Sequence, residues 1–433
     1  MANELVGLLG FAIMLLLIAF RVPVAIAMIG VAVAGYAYIV SPDAALARFG
    51  SDAFRGASIY SLSVIPFFIL MGMLLSYANL GRDVYLSLDR FLWRLRGGLS
   101  IATIGASAAF ASVSGSSVAS ASTMSRVAVP EMQRFDYDDG LSAASAAVGG
   151  TLGALIPPSA LLVLYGVLTQ EPIGQVLIAG FIPGVMTALL LMITAYVLVV
   201  RKPSLAPRRT ERPERTILTS LRLMWAVPVI FLISMGGLYQ GIFTPTESGA
   251  AGAALALLYG VVTRRLNRRG ISSAVSETIK VSAQIFLLMI AGQMFGFFLA
   301  VTRIPMWLGR TVTDLDLVPW LVVGIIFLIY FLLGAVMDEI AILVIMTPMM
   351  YPVVTGDLGY DGIWFGVLTI MMLLTGLLTP PIGLITFLVS GLTDISLGKV
   401  FRGLTPFWFT LILAIALVIA FPAIATWLPT LMR

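Results

Sequence analysis

The chain of 433 residues contains no cysteine and no histidine, and only 11% of its residues are charged. Without cysteine there is neither a disulfide nor a thiolate metal site. Without histidine there is no imidazole ligand and no Ser–His catalytic triad. A functional site must therefore be built from hydroxyl groups, backbone carbonyls, helix dipoles and a few carboxylates. Oxygen ligands of this kind are accepted by hard cations such as Na⁺.

What the sequence does contain is apolar. Hydrophobic residues make up 60% of it, the mean hydropathy is +1.04, and a soluble domain would carry about 25% charged residues. These values indicate a polytopic membrane protein. The first apolar run follows Glu4 and has neither a basic leader nor a small-residue cleavage site, so we do not expect it to be a signal peptide.

Four interruptions of apolar sequence stand out, two in each half of the chain. The first half has a Ser-Gly-Ser-Ser stretch at 114–117 and a Pro157-Pro158 pair; the second half has Gly-Ala-Val-Met-Asp at 334–338 and a Pro380-Pro381 pair. Backbone that leaves a helix at membrane depth is tolerated only where it is buried in protein or lines a cavity. Paired interruptions in the two halves are typical of transporter binding sites.

The order of apolar segments repeats. We predict an all-α polytopic membrane protein with two repeats, 1–200 and 222–433, joined by a polar linker, 201–221, which is expected to be cytoplasmic. Each repeat is predicted to have five crossings and one hairpin, so the second repeat must be inverted. The first repeat also carries an interfacial arm at 81–98. The predicted re-entrant hairpins are 99–130 and 317–350, and the predicted broken transmembrane helices are 140–168 and 361–390.

The basic residues support this arrangement. Most of the 26 lysines and arginines fall in segments on the same side as the linker, as the positive-inside rule requires of cytoplasmic loops. The same count places both termini in the periplasm. The formal charge of +5 is therefore attributed to topology, and no nucleic-acid partner is expected.

We predict that each hairpin tip meets the broken helix of its own repeat and binds Na⁺ there, giving two or more ion sites. Small residues could instead serve close helix packing, and a proline pair could be a simple kink. The occurrence of both features in duplicate favours binding. The predicted Na⁺ ligands are Ser114, Gly115, Ser116, Thr151, Gly153, Gly334, Asp338, Thr375, Gly376, Thr379 and Gly383. The predicted substrate-binding residues are Ser116, Ser117, Ser120, Pro157, Pro158, Pro380 and Pro381.

Four charged residues have roles that the sequence leaves open. Asp338 lies at a tip inside apolar sequence, where carboxylates are by default functional, and the adjacent Glu339 is a weaker candidate. Glu247 follows a loop and could cap a helix or lie at the interface. Arg126 could neutralise a carboxylate or reach toward the cytoplasm.

Several motifs, in the same order, resemble the large membrane subunit of a tripartite ATP-independent periplasmic (TRAP) transporter, the DctM-like family, over nearly the whole chain. They are SGSSVASAS (114–122), GGTLGALIPPS (149–159), AGFIPG (179–184), GIFTPTESGA (241–250), MDEIAILVIMTP (337–348) and GLLTPPIGL (376–384). Glu339 departs from the family, which often has an apolar residue or proline there.

The resemblance implies a Na⁺-coupled importer that works by an elevator movement in the bacterial cytoplasmic membrane. It also implies two partners: a periplasmic substrate-binding protein and a small four-helix membrane subunit, expected here as a separate chain. The substrate would be a small organic anion, a carboxylate such as a dicarboxylate or sialic acid, or a sulfonate. No organic cofactor is implied.

Other functions remain as alternatives. A divalent-anion/Na⁺ symporter of similar architecture would need no binding protein. An intramembrane enzyme is disfavoured because the chain has no histidine, no cysteine and no paired catalytic Asp motif. A channel is disfavoured because hairpins and broken spans occur in inverted duplicate.

Overall fold

The computed structural model describes residues 3–209, 216–314 and 318–432, and within these ranges every regular element is a helix. The helices of the first half are α1 (Asn3–Ala19), α2 (Val24–Ile39), α3 (Pro42–Ala57), α4 (Val64–Tyr77), α5 (Leu80–Leu92), α6 (Gly98–Ser114), α7 (Ser117–Arg134), α8 (Asp139–Thr151), α9 (Ala160–Thr169), α10 (Ile173–Ala179) and α11 (Phe181–Arg201). Short 3₁₀ turns precede α4 and follow α8 and α11.

The second half contains a similar number of helices. They are α12 (Ile217–Met224), α13 (Ala226–Tyr239), α14 (Pro245–Val262), α15 (Arg268–Val301), α16 (Ile304–Asp314), α17 (Pro319–Gly334), α18 (Glu339–Pro352), α19 (Gly362–Gly376), α20 (Leu384–Thr393), α21 (Leu397–Ala420) and α22 (Ala423–Thr430). A five-residue π-helical turn, Val353–Asp357, extends α18.

Both predicted hairpins form as helix pairs, α6–α7 and α17–α18, and both predicted broken helices are interrupted, α8–α9 and α19–α20. Six helical segments in the described ranges are long and apolar enough to cross a membrane. The chain is thus a multi-pass membrane protein. The number of crossings and their direction stay predictions. The six segments are Tyr60–Tyr77, Ile173–Arg201, Ile217–Tyr239, Arg268–Val301, Glu339–Asp357 and Leu397–Ala420.

Several boundaries differ from the sequence prediction. The helix α3 was not expected, and its start is explained by Ser41, whose side chain accepts a hydrogen bond from the amide of Ala44 at 3.2 Å. The last long helix, α21, ends at Ala420, because Pro422 cannot continue the hydrogen-bond pattern. The helix α12 begins at Ile217, inside the predicted linker 201–221; residues 210–215 of that linker lie outside the described residues.

The role of Glu247 is settled by the geometry at the start of α14. The hydroxyl oxygen of Thr244 accepts a hydrogen bond from the amide of Glu247 at 3.3 Å, and the Glu247 carboxylate accepts one from the amide of Thr244 at 2.8 Å. This reciprocal pair is a capping box. Of the two roles considered for Glu247, helix capping is therefore the one the structure shows.

The two halves interlock around the hairpins. The second hairpin arm of each half packs on the second part of the broken helix of the other half: α7 contacts α20, and α18 contacts α9. Within the first half, α7 also packs closely on α8. The interruptions of the two halves are thereby brought close to each other.

Candidate functional site

The first hairpin turns in two residues, Gly115 and Ser116. Gly115 has a φ of +62°, a left-handed conformation that costs a residue with a side chain about 1–2 kcal/mol. Ser116 then begins the next helix as its N-cap, its hydroxyl oxygen accepting a hydrogen bond from the amide of Ala119 at 3.3 Å. The serine- and glycine-rich sequence of the tip is thus explained by the turn.

This tip is in contact with the broken helix of its own half. The carbonyl oxygen of Gly115 accepts a hydrogen bond from the amide of Ala160 at 3.4 Å. A Cβ atom on Gly115 would lie 2.5 Å from the carbonyl oxygen of Pro158, and one on Gly153 would lie 2.5 Å from that of Ser116. Two glycines at these positions allow two stretches of backbone to touch.

The second tip meets its own broken helix in the same manner. The carbonyl oxygen of Ala335 accepts hydrogen bonds from the amides of Ile382 at 3.3 Å and Gly383 at 3.2 Å. A Cβ atom on Gly376 would lie 2.7 Å from the Cα of Gly334. Asp338 is the N-cap of α18, and its carboxylate accepts a hydrogen bond from the amide of Ile340 at 3.0 Å.

The two tips also meet each other. The hydroxyl of Ser117 donates a hydrogen bond to the carboxylate of Glu339 across 3.2 Å, although 222 positions separate them in the chain. Ser117 is fully buried and Glu339 is 8% exposed. Since Ser117 and Glu339 are the first residues of α7 and α18, the positive ends of two helices point into the same place.

Hydroxyl groups are found on both broken helices and at the first tip. Thr151 and Thr375 each donate a hydrogen bond to a carbonyl of their own helix at 2.7–2.8 Å, and Thr379, in the second break, donates to the carbonyl of Thr375 at 2.7 Å. Their oxygens keep lone pairs that could accept a cation. Ser114 and Ser120 are buried, and their hydroxyls have no partner among the described residues. The described ranges hold no group of three acidic side chains that could bind a metal ion.

The two proline pairs differ in exposure. Both Pro157-Pro158 and Pro380-Pro381 are joined by cis peptide bonds. Pro157 and Pro158 are buried, whereas Pro380 and Pro381 are exposed. The second break therefore forms part of an open surface while the first is enclosed.

The sequence model of the family described as "Tripartite ATP-independent periplasmic transporter, DctM component" matches residues 11–424. The chain belongs to this family. It is 30% identical to the C4-dicarboxylate TRAP transporter large permease protein DctM of Pseudomonas aeruginosa, over 90% of this chain and 91% of that protein. It is 31% identical to the sialic acid TRAP transporter large permease protein SiaM of Vibrio cholerae, over 87% and 88%.

Two further comparisons concern a longer permease protein and a solved transporter structure. The isethionate TRAP transporter permease protein DctMQ of Oleidesulfovibrio alaskensis is 30% identical over 97% of this chain and 65% of that protein. The crystal structure of the Alcanivorax borkumensis YdaH transporter matches with a TM-score of 0.55 at 13% identity, covering 84% of this chain and 86% of that chain. This second likeness concerns the fold alone. The DctM relatives are permeases, which agrees with the expectation that the chain is not an enzyme.

In this DctM-family chain the structure brings each predicted tip against its predicted break, and it draws attention to two further residues, Glu339 and Trp408. Glu339 was considered only as a weak candidate, yet it joins the tips. Trp408 was not considered; its indole N–H donates to the hydroxyl oxygen of Thr379 at 2.8 Å. A carboxylate in apolar sequence is a signal for the first, but nothing local marks the second, because Trp408 lies 29 positions from its partner.

Proposed function

We propose that the chain is the large membrane subunit of a Na⁺-coupled importer of small organic anions. The observation that carries this proposal is the duplicated pairing of a hairpin tip with a helix break, the two pairs meeting at Ser117 and Glu339. A substrate held between two tips is exposed to one side or the other when the tips move together, which is the geometry an elevator movement uses.

The ion is assigned to the tip–break contacts. Na⁺ needs about five or six oxygen ligands, as other hard cations do. At the first contact these would come from the carbonyls and hydroxyls of Ser114, Gly115, Ser116, Thr151 and Gly153. At the second contact, the corresponding set is Gly334, Asp338, Thr375, Gly376, Thr379 and Gly383.

The substrate is assigned to the space between the tips. Anions bind at helix N-termini because unpaired amides and the helix dipole favour negative charge. Both α7 and α18 begin there. The residues assigned to the substrate are Ser116, Ser117 and Ser120 of the first hairpin and the proline pairs of the two breaks, Pro157-Pro158 and Pro380-Pro381. Three relatives are named as transporters of C4-dicarboxylate, sialic acid and isethionate, which supports a carboxylate or sulfonate as substrate.

The proposal includes partners and a location. Family membership supports a periplasmic binding protein that delivers the substrate and a small four-helix membrane subunit on a separate chain. We place the complex in the bacterial cytoplasmic membrane, with both termini in the periplasm, because of the distribution of basic residues.

Reconstitution tests the proposal. The chain is placed in vesicles with and without its small subunit and binding protein, and substrate uptake is measured under a Na⁺ gradient and under a K⁺ gradient of equal size. The substrate itself is first found by a ligand screen on the binding protein. We expect uptake only in the complete system and only with Na⁺.

Two outcomes would contradict the proposal. Uptake by the chain without a binding protein would favour the alternative, a self-sufficient divalent-anion/Na⁺ symporter. Equal uptake with a K⁺ gradient would show that Na⁺ is not the coupling ion. A proton gradient would then be tested, with Asp338 as the first carboxylate to replace.

A further inference from the structure

A second concave surface lies away from the tips, between the end of α11, the loop that joins α5 to α6, and the start of the linker. It is a cavity of about 390 Å³, a volume typical of sites for small ligands. Four arginines line it, and none of the described residues lining it is acidic. They are Arg94, Arg96, Arg208 and Arg209.

One of these arginines is fixed in place. The guanidinium of Arg209 donates to the carboxylate of Asp89 at 2.6 Å and lies 3.8 Å above the ring of Phe135. Its side chain is 9% exposed, yet its Nε is buried with no hydrogen-bond partner in the described ranges. Arg209 thus adds a fixed positive charge to the wall of the cavity.

The charges of the other three arginines are not paired with any described carboxylate, although the Arg94 guanidinium lies 5.3 Å from the centre of the Trp93 ring. Arg94, Arg96 and Arg208 form no ion pair with any residue that the structure describes. Their charges come from two segments more than 100 positions apart in the chain. Orientation in the membrane requires only that basic residues lie on one side. It does not require separate segments to meet around one cavity, so topology does not explain the arrangement.

An apolar track leads to the cavity along α11. Exposed apolar side chains recur on one face of this helix at helical spacing: Leu189, Ile193, Tyr196, Val197 and Val200. Tyr196 belongs to both the track and the cavity lining. It lies five residues before the end of α11, about 8 Å along the helix axis. If the track lies among acyl chains, the cavity at this end of α11 lies at the depth of the lipid headgroups.

We propose that this cavity binds the phosphate headgroup of an anionic glycerophospholipid, whose acyl chains lie along the exposed face of α11. Arginine is suited to phosphate because its planar fork donates two parallel hydrogen bonds. Trp93, Tyr137 and Tyr196, which also line the cavity, have the amphipathic character that suits the membrane interface. The proposal is independent of the transport site, which lies at the other end of α6 and α7.

Lipid binding to the full chain in detergent, measured by native mass spectrometry, tests this. Phosphatidylglycerol, phosphatidylcholine and inorganic phosphate are titrated separately. We expect one saturable phosphatidylglycerol site, little binding of phosphatidylcholine, and no displacement of the lipid by inorganic phosphate at equal concentration. The double variant Arg96→Gln/Arg208→Gln should weaken phosphatidylglycerol binding on the order of tenfold for each charged hydrogen bond lost.

The matched control is Arg268→Gln/Arg269→Gln, which removes the same charge from exposed positions at the start of α15. It should leave the saturable site intact. Equal loss in both double variants would reduce the effect to general surface charge and overturn the proposal. So would equal binding of the two lipids. Displacement by inorganic phosphate would show a site for a free anion, without a role for the α11 track. All replaced residues are exposed, so thermal unfolding should be unchanged.

Discussion

The two hairpin tips make similar backbone contacts but carry different side chains. The first is made of serine and glycine, turns through a left-handed glycine, and faces a proline pair that is buried. The second holds two carboxylates, Asp338 and Glu339, and faces a proline pair that is exposed. Backbone contacts are similar at both, since a carbonyl of each tip accepts from an amide after the break.

This difference separates the features that both tips share from those that only one tip has. Tip–break contact is made by backbone, so it tolerates change of side chain so long as glycine is kept. The space between the tips is asymmetric, because negative charge comes only from the second tip. An anionic substrate would thus be held mainly by the first tip.

The largest expected effect comes from glycine replacement. Gly115→Val should abolish uptake and destabilise the fold, because it adds a left-handed backbone cost of about 1–2 kcal/mol to overpacking of about 1–3 kcal/mol against Pro158. Gly376→Val carries only the overpacking term against Gly334 and should be less destabilising. Thermal unfolding and uptake are measured for both.

Gly391→Ala is the control, since Gly391 is in α20 with open space around its Cβ position. It should behave as the unmodified chain. If Gly115→Val were as active and stable as this control, the first tip could not be held as the structure shows.

The next largest effect is expected from Glu339→Gln. At a separation of about 4 Å, a unit charge is worth about 1–4 kcal/mol to an anion, depending on the local dielectric. At a pH at which Glu339 is ionised, removing its charge should lower the substrate concentration for half-maximal uptake on the order of tenfold. The matched control is Ser117→Ala. It removes the Ser117–Glu339 hydrogen bond but keeps the Glu339 carboxylate, so it should not tighten substrate binding. Tighter binding in both variants, or in neither, would contradict an anion between the tips.

Smaller effects are expected from Ser116→Ala and Thr379→Ala. Each removes at most one side-chain oxygen from an ion site, so the Na⁺ concentration for half-maximal uptake should rise only about two- to tenfold. Ser116→Ala also loses a helix cap worth about 1 kcal/mol, and Thr379→Ala leaves the Trp408 indole without its acceptor.

Conservative variants separate these effects. Ser116→Asn keeps a capping oxygen, and Thr379→Ser keeps the hydroxyl, so both should recover most of the stability. An unchanged Na⁺ half-saturation in both alanine variants would remove these hydroxyls from the ion sites.

The last prediction concerns orientation and should leave uptake unchanged. Single cysteines at Ser204 and Asp357, both exposed, are introduced into this chain, which has no cysteine of its own. If the two halves are inverted, an impermeant thiol reagent added outside labels position 357 and spares 204. The reverse pattern would contradict both the assigned direction and the periplasmic termini.

Much of the fold was predictable because its signals are local. Apolar runs, the Ser-Gly-Ser-Ser stretch and the proline pairs each act on the backbone where they occur, so the helix pairs and the breaks were located to within a few residues. Re-entry of the hairpins into the membrane stays a prediction. The short helix α3 was missed because it has no long apolar run; its serine cap and amphipathic pattern were the available signals.

The site was predictable only in outline. Glycines such as Gly153 and Gly376 indicate that another segment packs closely against them. Only the structure shows that these segments contain Ser116 and Gly334. The Ser117–Glu339 and Trp408–Thr379 hydrogen bonds join distant segments, and a single sequence carries no record of which distant residues meet. Roles for Na⁺ and substrate at these residues stay predictions.

The length of α15 has a consequence for the surrounding lipid. This helix has 34 residues, or about 51 Å at 1.5 Å per residue, against a hydrocarbon thickness of about 30 Å. Its apolar part, 281–301, matches that thickness, and the polar remainder extends about 20 Å farther, held to α4 by the hydrogen bond from Tyr77 to Glu277 at 2.7 Å. A thinner bilayer would force this anchored rod to tilt or the membrane to thicken around it. The acyl-chain length of the lipids should therefore change the tilt of α15 without contact between the lipids and either hairpin tip.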